Sequence, residues 1–341
     1  MRTQGVVWLL VVWALLAPSR CPAEDVPPIT PSKINAARLR WIQYTMVAGR
    51  VAVSSVYQGT QMTHTAPQVD GRRERLQIQI NPGQINLRFE LIGPADELLI
   101  ELIGSNQLSI RRTRPKDDYT LRFEQSAGEP LMLVVEESDS RRAIEAESFW
   151  HLYLAEPQLV RRHLIPLLEI LRPSWQLASL GASVEDALVG RALTPRQPPG
   201  QRWAQLVADL ASPSFARRET AQRELAGAGP VVVPYLQNLD RNQLDAEQAS
   251  RVRAIVESLS AVNEDTRDRI ATWLAGDSQV WLSLMERPEM AKRRVAAVQL
   301  AVLEGTAIEF DPTGDEPRRQ AEIERLRNRL QKPKSATAKA N

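Results

Sequence analysis

Between residues 50 and 136 the chain alternates apolar and polar positions with period two. Leu76, Ile78 and Ile80 alternate with Gln77 and Gln79, and Ile85, Leu87, Phe89 and Leu91 alternate with Asn86, Arg88 and Glu90. Asn81-Pro82-Gly83 separates the two runs and is a turn signal of hairpin length. Further runs over 97–103, 106–112, 118–124 and 131–136 are divided by Gly104-Ser105-Asn106, Arg114-Pro115-Lys116-Asp117 and Gly128-Glu129-Pro130. Short consecutive strands with short turns predict an antiparallel meander with one wet face. The other face needs a cover, and the flanking stretches 34–48 and 141–172 are read as the helices that supply it. The expected unit is an α+β domain over 34–193.

Thr194-Pro195-Arg196-Gln197-Pro198-Pro199-Gly200 then breaks the pattern and opens an all-helical region. One motif recurs in it. PSFARRETAQREL (213–225) and PEMAKRRVAAVQL (288–300) align at an offset of 75, as Pro-x-(Phe/Met)-Ala-(Arg/Lys)-Arg-x-x-Ala-x-x-x-Leu. A degenerate copy, SRVRAIVESL (250–259), lies between them, and PQLVRR (157–162) is a looser echo. The intervals of 34 and 41 residues that separate the three helical copies suit helix-pair repeats. In the first copy Ser212 is placed to cap the helix and Pro213 to occupy its first turn. Phe215, Ala221 and Leu225 fall close to one face, and Gly227 and Gly229 end the helix before Pro230.

The stretch WAQLVADLASPSFARRETAQRELAGAGPVVVPYL (203–236) resembles the HEAT-like helical repeats of exported bacterial proteins. The resemblance covers about 100 residues and implies an α-solenoid segment over 201–310 that presents a curved surface to partners. Val231-Val232-Val233 crowd its second helix with β-branched residues, and the middle copy lacks the proline and the central alanine. No catalytic residue comes with it, because packing defines the family.

The N-terminus changes the picture. Residues 1–23 combine Arg2, an apolar run from Val6 to Ala17, and Cys21-Pro22-Ala23. This is the pattern of a secretory signal peptide, with cleavage expected between Ala23 and Glu24; retention as an anchor is the alternative. Arg20 stands where a lipobox needs a small residue. Proline-rich 24–33 then reads as a linker. The whole chain carries 43 basic and 41 acidic residues, and Arg2 and Arg20 leave with the signal, so the mature chain is neutral. That gives no electrostatic reason to expect nucleic acid as a partner. Cys21, the only cysteine, leaves as well, which excludes disulfides and thiolate chemistry in the mature chain. Exported chains without cysteine are typical of a bacterial envelope, periplasmic or extracellular.

Candidate chemistry is sparse. Arg162, Arg218 and Arg293 recur in the motif and could form a ladder that grips an acidic partner; the alternative is a structural role within the repeats. His151 follows Glu147 by four residues, one possible metal-ligand pair with no second pair to complete it, so no metal or cofactor is expected. His64 is read as a loop residue. Phe149-Trp150-His151-Leu152-Tyr153 is either the seal between helix and sheet or the wall of a ligand pocket. No phosphate loop, dinucleotide turn or nucleophile elbow occurs. Residues 311–341 form a basic tail; its last 24 residues hold eight basic and two acidic residues, which suits a solubilising terminus or weak contact with anionic wall polymer or headgroups. The expected function is noncatalytic: an exported protein–protein interaction or scaffold element. A carrier of a hydrophobic ligand in the sheet domain is the second reading, and a carboxylate-based hydrolase the third.

Overall fold

The computed structural model describes residues 29–331 apart from 55–58, 67–70, 105, 194–198, 238, 240–243 and 261–263. The expected signal peptide and the end of the basic tail lie outside the described residues. The alternating runs form one antiparallel sheet of eight strands in sequential order. These are β3 (Thr60–Thr65), β4 (Arg73–Asn81), β5 (Gln84–Ile92), β6 (Glu97–Ile103), β7 (Gln107–Arg114), β8 (Tyr119–Gln125), β9 (Leu131–Glu137) and β10 (Ser140–Ala146). The β4–β5 turn is the expected one: Asn81 pairs with Gln84, and Gly83 takes φ +74°.

Two expected cover helices are corrected. In 34–48 only α1 (Lys33–Leu39) is helical, and β1 (Gln43–Val47) and β2 (Arg50–Ser54) form a separate hairpin. Tyr44 and Met46 are buried and alternate with more exposed neighbours, a period of two too short to stand out in sequence. Ala48 and Gly49 turn the hairpin with φ +50° and +69°, as a tight two-residue turn requires. At the other end, 140–146 is the edge strand β10, and helix begins only at α2 (Phe149–Ala155). His64 is likewise in a strand, β3, not in a loop.

One face of the sheet is core. Leu76, Phe89, Ile100, Ile110, Phe123 and Leu133 form one cross-strand row, each at most 1% exposed. Three polar residues occupy inward positions, and each fastens a segment. Glu74 accepts the Ser32 N–H at 2.8 Å and Asn35 Nδ2 at 3.1 Å, which ties down α1. Gln125 accepts the Val51 N–H at 2.9 Å and donates to Val51 O at 2.7 Å, so its amide pairs with the hairpin as a strand would. Arg112 holds Asp96 through Nε at 3.1 Å and Nη2 at 2.5 Å.

The rest of the chain is helical, so the protein is α+β overall. α3 (Pro157–Leu159) runs through a π turn (Val160–Leu164) into α4 (Ile165–Leu171), followed by α5 (Leu177–Ala192). Then come α6 (Pro199–Asp209), α7 (Phe215–Gly227), α8 (Val233–Gln237), α9 (Ala246–Ser260), α10 (Arg267–Leu274), α11 (Ser278–Leu284), α12 (Met290–Glu304) and α13 (Glu316–Gln331). Their packing divides them. α6 to α9 bury Leu206, Leu210, Ala221, Leu225, Val232 and Ile255 in a core of their own. α10 to α13 contribute Leu274, Trp281, Leu300 and Ile323 to the same core as the sheet, α2, α4 and α5. Within 311–341, α13 docks by Ile323 and Leu326, which are 1% and 5% exposed.

Candidate functional site

The two motif copies adopt one local geometry. Arg218 Nη1 donates to Ser212 O at 2.7 Å and Pro213 O at 3.2 Å. Arg293 Nη1 donates to Arg287 O at 2.8 Å and Pro288 O at 2.5 Å. Each arginine thus reaches back over the loop that precedes its own helix, while Ala221 and Leu225, like Ala296 and Leu300, are buried. Arg162 stands apart from this pattern, inside the π turn. Two local expectations are corrected. Ser214, not Ser212, is the N-cap of α7; the Ser212 hydroxyl accepts the Ser214 N–H instead. Phe215 does not join the buried face and is 64% exposed, because it sits in the first turn, ahead of the first buried position.

The groups most suggestive of catalysis meet where the β1–β2 turn, α2 and the starts of α10 and α11 converge. Ser148, the N-cap of α2, lies 2.8 Å from His151 Nδ1, and His151 Nε2 lies 3.0 Å from Asp277 Oδ2. A carboxylate only accepts, so Nε2 carries the proton to Asp277 and Nδ1 accepts from the Ser148 hydroxyl in the neutral ring. Burial pushes the Asp277 carboxyl up, but hydrogen bonds from His151 and the Gln279 N–H outweigh it and hold its pKa below the ordinary value. The order of partners is that of a serine–histidine–aspartate relay, with the two ring nitrogens exchanged. What is missing is room. Ser148 is 1% exposed, and a Cβ placed on Gly49 would come within 2.7 Å of its Oγ. The hairpin turn closes over the hydroxyl.

Asp265 holds that turn in place. Its carboxylate accepts the Ala48 N–H at 2.8 Å, the Gly49 N–H at 2.7 Å and Trp150 Nε1 at 2.6 Å, and its own N–H donates to Met46 O at 2.7 Å. Burial raises its pKa, and the three donors offset that only in part. The junction is a clamp between the hairpin, α2 and the C-terminal helices. Sequence spacing displays Ser148 and His151, but Asp265 and Asp277 lie more than 100 residues downstream in no motif. Glu147, four residues before His151, accepts from Arg50 Nη2 at its backbone carbonyl, at 3.1 Å. Among the described residues no group of three or more His, Cys, Asp or Glu could hold a metal ion.

The aromatic run 149–153 is the seal beneath the sheet: Phe149, Trp150 and Tyr153 are at most 1% exposed, and Tyr153 packs against Gly181 of α5. Beside it the π turn sends His163 into the core. His163 Nδ1 lies 3.1 Å from the Tyr119 hydroxyl, and burial, with Arg162 and Arg112 nearby, lowers its pKa to about 4. On the surface, a groove of about 510 Å³ between 309–311 and α13 is lined by Phe310, Asp311, Arg318, Glu322 and Arg325. Its buried carboxylate, Glu322, is engaged by the Asp311 N–H at 2.9 Å and Arg318 Nε at 3.1 Å.

One surface has the opposite character. Along α12, Met290, Arg294, Val298 and Val302 recur every four residues on one outward face; the three apolar members are 45%, 62% and 66% exposed. The opposite face, through Arg293, Ala296 and Leu300, is buried. In α7 the matching positions are Phe215, Glu219, Arg223 and Gly227, so only the second motif copy carries the stripe. No helix among the described residues is long and apolar enough to cross a membrane. In comparisons with known proteins, no family model, curated protein or solved structure matched this chain.

Proposed function

We propose that this is an exported, noncatalytic interaction protein that receives an amphipathic helix of a partner protein on the exposed face of α12. Export rests on the signal-like residues 1–23. The interaction reading is carried by one observation: three large apolar side chains spaced at four and eight residues stand 45–66% exposed around a central Arg294. Scattered exposed apolar residues are ordinary, but a stripe in helical register matches the packing of one helix against another. Arg294 makes no ion pair among the described residues, so the partner helix is expected to carry an acidic residue between its apolar anchors. In this reading the two motif copies are units of a HEAT-like array, and α12 is the binding helix.

The test starts with the full chain bearing a photo-crosslinking residue at Val298, exposed to envelope extract, with the adduct mapped. A labelled peptide of the mapped helix is then titrated by fluorescence anisotropy. Val298→Asp with Val302→Asp should weaken binding at least tenfold, and Arg294→Glu should do the same. Exchanging the peptide's acid for lysine should restore binding to the Arg294→Glu chain. Equal affinity for all variants, or adducts that map to no acidic amphipathic helix, would sink the proposal.

A further inference from the structure

The eight-stranded sheet is open, and its two edges are unlike. The outer strand β10 carries Arg141, Arg142 and Glu145, and charges on an edge strand oppose pairing with another chain. At the other end β3 reads Thr60-Gln61-Met62-Thr63-His64-Thr65, with no acid, lysine, arginine, proline or glycine. Among the described residues the sheet is guarded on one side only.

The free backbone groups of β3 can be assigned. Ala66 N donates to Glu74 O at 3.0 Å, just beyond the last paired residue, so 66 and 74 are a hydrogen-bonded pair. Such pairs alternate along an antiparallel ladder; hence His64, Met62 and Thr60 bond to β4, while the N–H and C=O of Gln61, Thr63 and Thr65 point outward. Those three residues are also the exposed ones.

We propose that β3 pairs antiparallel with β3 of a second copy of this chain, about a two-fold axis through Met62 and normal to the sheet. In that register Gln61 faces Thr63 of the second copy, and Thr63 faces its Gln61, which satisfies four outward N–H groups. Met62 faces its own equivalent, and Thr60 faces His64. The register keeps every inward residue on the core side in both copies; a slip of one residue would break that match. The side chains suit it. Asn35 Nδ2 donates to Glu74, so Asn35 Oδ1 accepts from His64 Nδ1 at 2.9 Å. Nε2 of the neutral His64 ring is then an acceptor, on the row that meets the Thr60 hydroxyl of the second copy. An unrelated strand would gain the backbone bonds but not these matched pairs, which favours self-association. Six edge residues bury less than the roughly 800 Å² per partner of a standard interface, so the dimer is weak and depends on protein concentration.

The test uses the full chain with Cys21→Ser. Met62→Cys places two thiols on directly opposed residues, whose Cα atoms in a non-hydrogen-bonded pair lie about 4.5 Å apart, within disulfide range. Thr63→Cys puts its equivalent two residues out of register, beyond about 7 Å. Under mild oxidation the Met62→Cys chain should give a disulfide dimer at least tenfold faster than the Thr63→Cys chain. Adding Thr63→Lys to Met62→Cys should abolish it without changing the circular dichroism spectrum. Sedimentation equilibrium of the Cys21→Ser chain guards against any disturbance by Met62→Cys, and should show a dimer that Thr63→Lys removes. Equal cross-linking at both positions, a monomer at 500 µM, or a dimer that survives Thr63→Lys would each overturn the proposal.

Discussion

Arg218 and Arg293, 75 residues apart, close the same loop in the same way but differ in depth and in what else they hold. Arg293 is 7% exposed and also donates through Nε and Nη2 to Pro312 O at 2.9 and 2.8 Å, which fixes the approach to α13. Arg218 lacks that third carbonyl. Arg293→Ala leaves three partly buried carbonyls without a donor, for an expected loss of about 2–4 kcal/mol. Arg218→Ala should cost about 1 kcal/mol. Urea unfolding curves check the order. Equal, negligible losses would return both residues to the role of a free binding ladder.

Gly49 combines two constraints that are usually separate. Its φ of +69° disfavours any side chain, and an added Cβ would lie 2.6 Å from Ser148 Cβ. Gly83 has a similar φ of +74° with nothing within 4 Å of such an atom. Gly83→Ala should therefore cost about 1 kcal/mol, the backbone effect alone. Gly49→Ala should cost about 3 kcal/mol, because the turn must lift off Ser148 and break its bonds to Asp265. Thermal melts of the two variants separate strain from contact. If the Gly49 variant does open the turn, the Ser148 hydroxyl becomes reachable, and labelling by a fluorophosphonate probe would report it.

The meander was legible in the sequence because most of its strands are long enough for period two to be seen, as in 76–91. Strand β1 was not, since it has five residues and only Tyr44 and Met46 mark its buried face, while β2 opens the alternating stretch that begins at residue 50. Glu74, Arg112 and Gln125 stand at positions where the alternation calls for apolar residues, and each proves to anchor a segment. The motif reported its buried alanine and leucine correctly, because those repeat at helical spacing. It could not show that α10 to α13 share the core of the sheet, since contacts such as Arg287 with Leu154 O span 133 residues. The serine–histidine–aspartate junction was hidden for the same reason.

Glu185 and Arg287 form the deepest ion pair joining these parts. Arg287 Nε and Nη2 reach Glu185 Oε1 at 3.0 and 2.7 Å, Lys292 Nζ reaches Oε2 at 3.2 Å, and both partners of the pair are under 9% exposed. Removing one member strands the other, so Glu185→Leu should cost about 3–5 kcal/mol. Glu185→Leu with Arg287→Met should cost clearly less than the sum of the singles, although Leu154 O then loses its 2.6 Å donor. A double-mutant cycle on unfolding free energies measures the difference. Strict additivity would mean that the pair is not coupled.

His163 makes stability depend on pH in a defined direction. In the unfolded chain its pKa is near 6.5, and in the folded protein burial beside Arg162 and Arg112 lowers it to about 4. Below pH 6.5 the unfolded state binds the proton more readily, so the folded state loses relative stability as pH falls towards 4. Above 6.5 both states are neutral at this ring and the contribution is fully present. Glu137 Oε1, 3.7 Å from Nε2, offers the protonated ring a partial counter-charge. With solvent screening the loss is about 1–2 kcal/mol, or ~3–6 °C in Tm. His163→Gln can retain the Tyr119 hydrogen bond but has nothing to titrate. The difference in Tm between the two proteins should therefore shift in favour of the variant as pH drops from 7 to 4. A difference that stays constant over that range would mean that His163 has the same pKa folded and unfolded, with Glu137 offsetting the burial.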